Sequence, residues 1–334
     1  MSVHSISQPL VSVVTPVYNG EAHLRECIES VLRQTYSNWE YTIVNNCSTD
    51  RTLEIATEYA QREPRIRLQN NQTFVRVIEN HNIAFRQISP LSKYCKVVAA
   101  DDWIFPECLE KMVDIAERHP SVAMVGAYQL CGRGVAWDGV PYPSQVVAGR
   151  ELCREKLLGG PYVFGTATTL MYRADIVRSR HAFFPESNLH GDSEVCYEFL
   201  ENQDFGFVHQ ILTFCRVDEG SLTSFSERFN TYLPATLNEL LRYGPRYLTS
   251  KEMERRLQEQ RSEYRKYLGR QVFKRRDPTF WKYHRTKLTE LGSPLRFWQL
   301  AIATLQVAAE AALNPKATAE HHLLRKKSVA AGSS

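Results

Sequence analysis

The hydrophobic positions of residues 10–127 follow two periodicities that alternate along the chain. Leu10 to Val17 is a continuous apolar run with β-branched residues, which is typical of a strand buried on both faces. Apolar residues then recur at helical spacing over 24–32, which predicts an amphipathic helix. Further strands are predicted at 39–44, 66–68, 94–99 and 122–127. Further helices are predicted after Asp50, over about 75–86 and with Pro106 in the first turn. Strands that alternate with helices predict an α/β fold with a mostly parallel sheet flanked by helices.

Polar pairs follow three of these predicted strands. They are Tyr18-Asn19, Asn45-Asn46 and Asp101-Asp102. Ligands of parallel sheets bind at the carboxyl ends of the strands, where loops from neighbouring strands meet. The three pairs are therefore expected to converge on one crevice.

The pattern changes beyond about residue 228. Residues 132–143 are rich in Gly and Pro and predict a loop, whereas Leu237, Leu240 and Leu241 begin long helical patterns. We therefore expect a catalytic or binding domain over residues 1–228 and a basic, amphipathic helical region over 229–334.

Charge is distributed unevenly around a formal net charge of +4. Residues 1–241 hold 21 Lys and Arg against 29 Asp and Glu, whereas residues 242–296 hold 16 against 6. The basic segment suits an anionic surface, and it equally suits a solvated helix face. Phe297-Trp298 and the apolar positions over 300–312 favour the surface of an anionic membrane, the alternative being a helix packed on the catalytic domain or on a second subunit. No nucleic-acid recognition module is present, so no nucleic-acid partner is expected, and the oligomeric state stays open.

Composition and the chain ends favour a cytoplasmic protein. The eight cysteines include no Cys-x-x-Cys pair, which indicates reduced thiols. The N-terminus has no basic region followed by an apolar run, so no signal peptide is expected. The longest apolar candidate, Leu300 to Leu313, is interrupted by Gln306 and Glu310, so no membrane span is expected. Any attachment to the cytoplasmic face of the membrane would be peripheral.

Adjacent acids at a predicted strand end make Asp101-Asp102 the sharpest chemical feature. Two neighbouring carboxylates repel, and each is stabilised by a nearby cation. Carboxylate and phosphate oxygens are the usual ligands of Mg²⁺ or Mn²⁺. The alternative is that Asp102 caps the helix entered at Pro106, with Asp101 in a turn.

Five segments together resemble family 2 glycosyltransferases of the bacterial polysaccharide and lipopolysaccharide type. They are Val11–Gly20, Ile43–Thr52, Val98–Pro106, His190–Glu194 and Cys215–Thr223. Each motif is weak alone, but their order and approximate spacing over residues 11 to about 225 make the resemblance specific.

The resemblance implies a GT-A fold and a metal-assisted, inverting transfer from a nucleoside diphosphate sugar, with UDP-sugar the first choice, to a glycan or lipid-linked glycan. It implies that the nucleotide sugar is bound by Pro16, Tyr18, Asn45, Asn46 and Asp101. It also implies that Asp101 and Asp102 bind Mn²⁺ or Mg²⁺, and that Asp192 is the general base. Without the family, Asp192 would be interpreted as a helix cap.

Three departures from the family pattern keep other functions open. Asn45-Asn46 replace a common pair of acids, Ala99 stands where many members carry Asp, and Asp218 stands where many carry a His that acts as a metal ligand. A catalytically silent relative acting as a binding or scaffold subunit is therefore one alternative. A sugar nucleotidyltransferase is a weaker one, since the loop after the first strand lacks the glycines and the base it would need. For the acceptor, the candidate stacking residues are Trp137, Tyr142, Tyr162 and Phe164, each of which is otherwise a packing residue.

Overall fold

The computed structural model describes residues 8–132, 134–216 and 222–313. The chain packs as two compact units that meet in sequence between residues 217 and 218. That division falls ahead of the boundary at residue 228 that we predicted from the change in pattern. Asp218 and the polar end beyond residue 313 lie outside the described residues.

The first unit is built on a mixed sheet of ten strands. They are β1 Val11–Val17, β2 Trp39–Asn45, β3 Ile66–Asn70, β4 Tyr94–Val97, β5 Trp103–Ile104, β6 Val122–Cys131, β7 Gly134–Ala136, β8 Val146–Ala148, β9 Met171–Arg173 and β10 Asp204–Cys215. The order is β3-β2-β1-β4-β9-β6-β10-β5, with β7 beside β6 and β8 beside β10. β1 pairs in parallel with β2 and β4, β2 with β3, and β6 with β10, whereas β9 runs antiparallel to both of its neighbours. The predicted α/β fold with a mostly parallel sheet is confirmed.

Helices of the first unit flank this sheet. They are α1 Leu24–Leu32, α2 Thr52–Arg62, α3 Val77–Phe85, α4 Cys108–Arg118, α5 Gly149–Leu157, α6 Ala174–Arg178 and α7 Gly191–Phe199. All seven residues of β1 are buried, as the continuous apolar run predicted. In α1 the buried positions include Leu24, Cys27, Ile28 and Val31, which is the face expected from the spacing.

Two sequence-based expectations are corrected in the first unit. The predicted loop over residues 132–143 contains the short strand β7, because Gly132, in the left-handed region at φ 57°, turns the chain back along β6. The helix expected at Pro106 begins at Cys108 instead, because the two-residue strand β5 first pairs with β10.

The second unit is helical, as expected for the C-terminal region. Its helices are α8 Leu222–Phe229, α9 Tyr232–Tyr247, α10 Ser250–Phe273, α11 Pro278–Glu290 and α12 Phe297–Leu313. Its core contains buried Leu237, Tyr264 and Phe280. Thr249 and Glu252 form a capping box at the start of α10, which satisfies backbone N–H groups of the first turn. Among the residues that the structure describes, no helix is both long enough and apolar enough to span a membrane.

Candidate active site

The loops that follow β1 and β2 are joined by hydrogen bonds. Asn19 adopts φ 49°, and its backbone N–H donates to the Ser48 hydroxyl over 2.9 Å. The Asn19 side-chain oxygen accepts from the Thr49 N–H at 2.8 Å, and the Gly20 N–H donates to the Thr52 hydroxyl at 2.7 Å. The structure therefore brings two of the three predicted polar segments together at the carboxyl ends of neighbouring strands.

Asn45 and Asn46 are buried at the end of β2, and their amides bond to protein groups. Asn45 Nδ2 donates to Asn70 Oδ1 over 2.6 Å. Asn46 Oδ1 accepts from the Val75 N–H at 3.0 Å and from Asn71 Nδ2 at 3.1 Å, and Asn46 Nδ2 donates to the Val75 carbonyl at 2.8 Å. These amides therefore hold the segment between β3 and α3 in place.

An exposed aromatic pair stands beside these loops. Tyr18 is 48% exposed and Phe74 is 60% exposed, and their ring centroids lie 4.9 Å apart in an edge-to-face arrangement. Pro16 lies in β1 below them, buried and in register with Val44 of β2. The sequence interpretation did not single out Phe74, because Phe74 follows a short strand and belongs to none of the motifs. Two exposed rings at strand ends offer a surface on which a planar base can stack.

Asp102 is buried beneath the site, in the turn between β4 and β5. Its Oδ1 accepts from the Arg216 N–H at 3.1 Å, and its side chain is also hydrogen-bonded to Thr168. Burial, and then the neighbouring charge of Asp101, raise the pKa of Asp102 above its usual range. Asp102 is not the cap of α4, because β5 separates it from that helix, whose N-cap is Glu107.

Arg216, at the end of β10, holds this turn from a second side. Its Nε donates to the Asp101 carbonyl at 3.2 Å, and its Nη2 forms an ion pair with Glu26 at 2.5 Å. Its guanidinium lies 5.3 Å from the centre of the Trp103 ring, within cation–π range. Arg216 stands inside the Cys215–Thr223 segment that the resemblance singled out, so that motif was the available signal.

Lys96 is a fully buried cation under the same turn. Its Nζ donates to the carbonyls of Thr168 and Leu170, and burial lowers its pKa. The positive charge of Lys96 favours the ionised form of Asp102. A lysine inside the otherwise apolar strand Tyr94–Val97 is the sequence signal that could have revealed it.

The donor set at Asp101 and Asp102 suits a hard divalent cation. Both residues supply carboxylate oxygens, and the charge that Asp101 places on Asp102 would be offset by a cation nearby. In the described part of the chain, this edge of the sheet included, no group of three or more His, Cys, Asp or Glu side chains gathers as a metal site. A cation held by these two carboxylates would need oxygen ligands from phosphate groups and water as well.

Asp192 is the second residue of α7 rather than its cap. The N-cap is His190, which makes no side-chain capping bond. Asp192 Oδ1 accepts from the Ser193 N–H at 2.9 Å. Burial raises the pKa of Asp192 to about 6, which is close to the range in which a carboxylate works well as a general base.

The charges of Asp101 and Asp192 both act on an aromatic cluster that contains His81, Phe184 and Tyr172. Burial lowers the pKa of His81, and the charge of Asp101 opposes that shift. The His81 ring lies 5.9 Å from Phe184, and Phe184 lies 6.4 Å from Tyr172. Burial raises the pKa of Tyr172, and the charge of Asp192 adds to the effect.

Of the four candidate stacking residues for the acceptor, two lie together. Phe164 is fully buried, and Tyr142 is 81% exposed with its ring against that of His209. Trp137 and Tyr162 are half-buried, with ring centroids 5.3 Å apart in an edge-to-face arrangement.

Fold and sequence comparison now identify the class of protein. The fold is the GT-A fold of glycosyltransferases, a sheet of this kind with acidic residues at its ligand-binding edge. The family model described as "Glycosyl transferase family 2" matches residues 12–180, which is half of the chain. The chain belongs to glycosyl transferase family 2.

Relatives in sequence are named as glycosyltransferases. YibD of Escherichia coli K12, an uncharacterized glycosyltransferase, is 30% identical over 200 residues, which cover 58% of this chain and 56% of YibD. TuaG of Bacillus subtilis, a candidate teichuronic acid biosynthesis glycosyltransferase, is 30% identical over 171 residues, which cover 50% of this chain and 63% of TuaG. The chain thus spans less than two thirds of the length of either relative.

Solved structures share the fold at low sequence identity. S. aureus TarS 1-349 in complex with UDP superposes with a TM-score of 0.59 at 18% identity, covering 84% of this chain and 79% of that one. The mannosyltransferase PcManGT from Pyrobaculum calidifontis, in complex with GDP-Man and Mn²⁺, gives a TM-score of 0.55 at 13% identity, covering 98% of this chain and 87% of that one.

Proposed function

We propose that this chain transfers a sugar from a nucleoside diphosphate donor, most simply a UDP-sugar, to a hydroxyl of a glycan or lipid-linked glycan, with inversion at the anomeric carbon. The observation that carries the proposal is the carboxylate pair Asp101-Asp102 at the ligand-binding edge of a GT-A sheet. The UDP bound to TarS supports a uridine donor, and the name of TuaG supports a polysaccharide product.

At the donor end, the exposed ring of Tyr18 stacks on the base, and Phe74 limits the base from the side. Asn45 and Asn46 act by holding the loops that carry these contacts, and Pro16 supports Tyr18 from β1. Asp101 and Asp102 would hold Mn²⁺ or Mg²⁺. When bound, such a cation neutralises the diphosphate as it leaves.

At the acceptor end, Asp192 acts as the general base. The acceptor oxygen forms a bond to the anomeric carbon while the bond from that carbon to the diphosphate oxygen breaks. The electron pair of the broken bond stays with the nucleoside diphosphate, and the acceptor proton passes to the Asp192 carboxylate. Because attack and departure occur on opposite faces of the sugar, the anomeric configuration inverts.

Donor hydrolysis tests this proposal without knowledge of the acceptor. The full chain is incubated with Mn²⁺ and a panel of UDP- and GDP-sugars, and released nucleoside diphosphate is measured. We expect slow release from a UDP-sugar and its loss in Asp101→Asn. No release from any sugar nucleotide would favour the alternative of a catalytically silent relative. In such a protein, the amides of Asn45 and Asn46 would serve only to hold the neighbouring segments in place.

We also propose that the protein works at the cytoplasmic face of a membrane, through α12. Its exposed apolar residues Trp298, Ile302 and Leu305 recur at helical spacing, so they share one face of the helix. Phe297 at its start is 86% exposed. Exposed aromatic and aliphatic groups beside the basic segment 242–296 suit the interface of an anionic bilayer.

A further inference from the structure

Trp137 and Tyr162 form an aromatic corner whose members are fixed by hydrogen bonds on both sides. The Trp137 indole Nε1 donates to Gln129 Oε1 over 2.8 Å, and Gln129 is fully buried in β6. Gln129 Nε2 in turn donates to the Thr166 hydroxyl at 3.2 Å. The indole N–H of Trp137 therefore has its hydrogen-bond partner inside the protein. The rest of the half-buried Trp137 ring offers only an apolar surface.

The backbone at this corner is shaped for close approach. Trp137 has φ 67°, in the left-handed region that a bulky side chain rarely adopts. A Cβ added at Gly139 would lie 2.7 Å from Val163 Cγ1 and 2.8 Å from Pro161 Cβ, so only glycine lets this loop lie on the segment before Phe164. Strained positions of this kind persist where the surroundings hold them, and they concentrate at ligand sites.

The second ring connects the corner to the candidate base. The Tyr162 hydroxyl is hydrogen-bonded to Ser193 Oγ at 2.7 Å and donates to the Gly165 carbonyl at 3.1 Å. Ser193 follows Asp192 directly, and its N–H donates to the Asp192 carboxylate. Through Tyr162, the apolar corner therefore stands next to Asp192, the proposed base.

We propose that Trp137 and Tyr162 bind the reacting sugar ring of the acceptor, so that the acceptor ends in a pyranose and not in a bare polyol or lipid phosphate. The C–H face of a pyranose is apolar and weakly positive, so it packs on the face of one aromatic ring while the other ring limits it from the side. This inference rests on the proposed function, because it takes Asp192 as the base.

Saturation-transfer NMR on the full chain with UDP and Mg²⁺ tests the inference. The probes are the methyl glycosides of glucose, galactose and N-acetylglucosamine. We expect ring-proton saturation for at least one of them, and a loss of affinity of about tenfold or more in Trp137→Ala. Trp137→Phe keeps an aromatic face and should keep binding the glycosides. This variant keeps the inference testable if Trp137→Ala fails to fold.

Tyr142→Ala is the matched control, because the exposed Tyr142 ring packs against His209 and does not belong to the corner, so that its loss should leave the signals unchanged. Absence of saturation for all three probes, or equal affinity in Trp137→Ala, would overturn the inference. The inference would also be overturned if Trp137→Ala lost affinity for UDP-GlcNAc but not for UDP, because the corner would then bind the donor sugar. Donor hydrolysis, and the change in unfolding midpoint when UDP is added, test the proposed function separately, so that its failure is distinguishable from failure of this inference.

Discussion

At the residue scale, the ionised carboxylate of Asp192 is needed for the proposed reaction but lowers the stability of the folded protein. Its folded-state pKa of about 6 lies above the ordinary value of 3.8, so the folded state binds more protons between these values. Ionisation therefore reduces stability as pH rises through this window, and the full loss is present above pH ~6, amounting to about 1–3 kcal/mol.

Asp192→Asn separates the effect of this carboxylate on stability from its effect on transfer. The neutral amide removes the cost of a buried charge, so we expect the free energy of unfolding at neutral pH to rise by about 1–3 kcal/mol. Nucleotide affinity should stay unchanged, and transfer should be lost because no base remains. Denaturant unfolding, UDP binding and product formation measure the three effects. Near-normal turnover would remove Asp192 as the base.

The same carboxylate sets the expected pH dependence of transfer. As pH falls through about 6, Asp192 becomes protonated and kcat/KM should fall about tenfold per pH unit. Binding of UDP, measured over the same range, controls for changes at the Asp101-Asp102 turn. A rate that stays flat down to pH 5 would contradict the assignment.

Sequence patterns singled out the ionisable residues of the candidate site but not all of their surroundings. Asp101, Asp102 and Asp192 were predicted from their motifs. Their partners Lys96 and Arg216 were not assigned, because burial and long-range hydrogen bonds depend on how β4, β9 and β10 are placed side by side. The alternative that Asp102 caps a helix was likewise excluded only by the two-residue strand β5, which separates Asp102 from α4.

At the scale of elements, the start of α5 depends on a glycine. A Cβ at Gly149 would lie 2.2 Å from the Gln203 carbonyl oxygen and 2.6 Å from that of Leu200, both backbone atoms. We expect Gly149→Ala to lower the free energy of unfolding by about 1–3 kcal/mol or more. Gly134→Ala is the control, since its nearest neighbour would be 3.9 Å away. Equal denaturation midpoints for the two variants would contradict the packing argument.

Helix α12 carries the membrane prediction. Replacing Trp298, Ile302 and Leu305 by Gln should weaken co-sedimentation with vesicles of phosphatidylcholine and phosphatidylglycerol, because the apolar face is lost. Gln306→Ala, on an exposed polar position of the same helix, should bind as the unmodified chain does. Unchanged binding by the triple variant would assign this face to protein packing.

The regular elements were predictable because their hydrophobic periodicity is strong. The runs that became β1 and β2, and the helical faces of α1 and α4, needed no tertiary information. By contrast, β5 and β7 are too short to show a period of two, and they exist because β10 and β6 offer free edges. The parts that periodicity missed are those that shape the acidic turn and the aromatic corner.

At the scale of the whole molecule, the charge asymmetry separates two tasks by unit. The acidic first unit carries the candidate site, and the basic surplus lies in segment 242–296 of the helical unit. An anionic surface would therefore attract the second unit and not the first, with a strength that falls as salt rises.

Ligand binding should be visible in global stability. UDP with Mn²⁺ should raise the unfolding midpoint, since a ligand at 100 times its dissociation constant stabilises a protein by about 2.7 kcal/mol. UDP without metal should give a smaller shift if the cation bridges Asp101-Asp102 to the diphosphate. GDP in place of UDP tests selectivity for the nucleobase. An equal shift in the unfolding midpoint with both nucleotides would contradict a uridine-selective site.

The bonds that join the loops after β1 and β2 bear on how the donor arrives. The contacts of Asn19 with Ser48 and Thr49, and of Gly20 with Thr52, are made within the protein itself. These loops have little conformational freedom left to lose, so nucleotide binding should carry a small entropic penalty there. Amide protons at Asn19 and Gly20 should exchange slowly with solvent even in the free protein. Discrimination between donors would then follow from the fit of each base to a ready-made surface, and not from a loop that closes on the correct one.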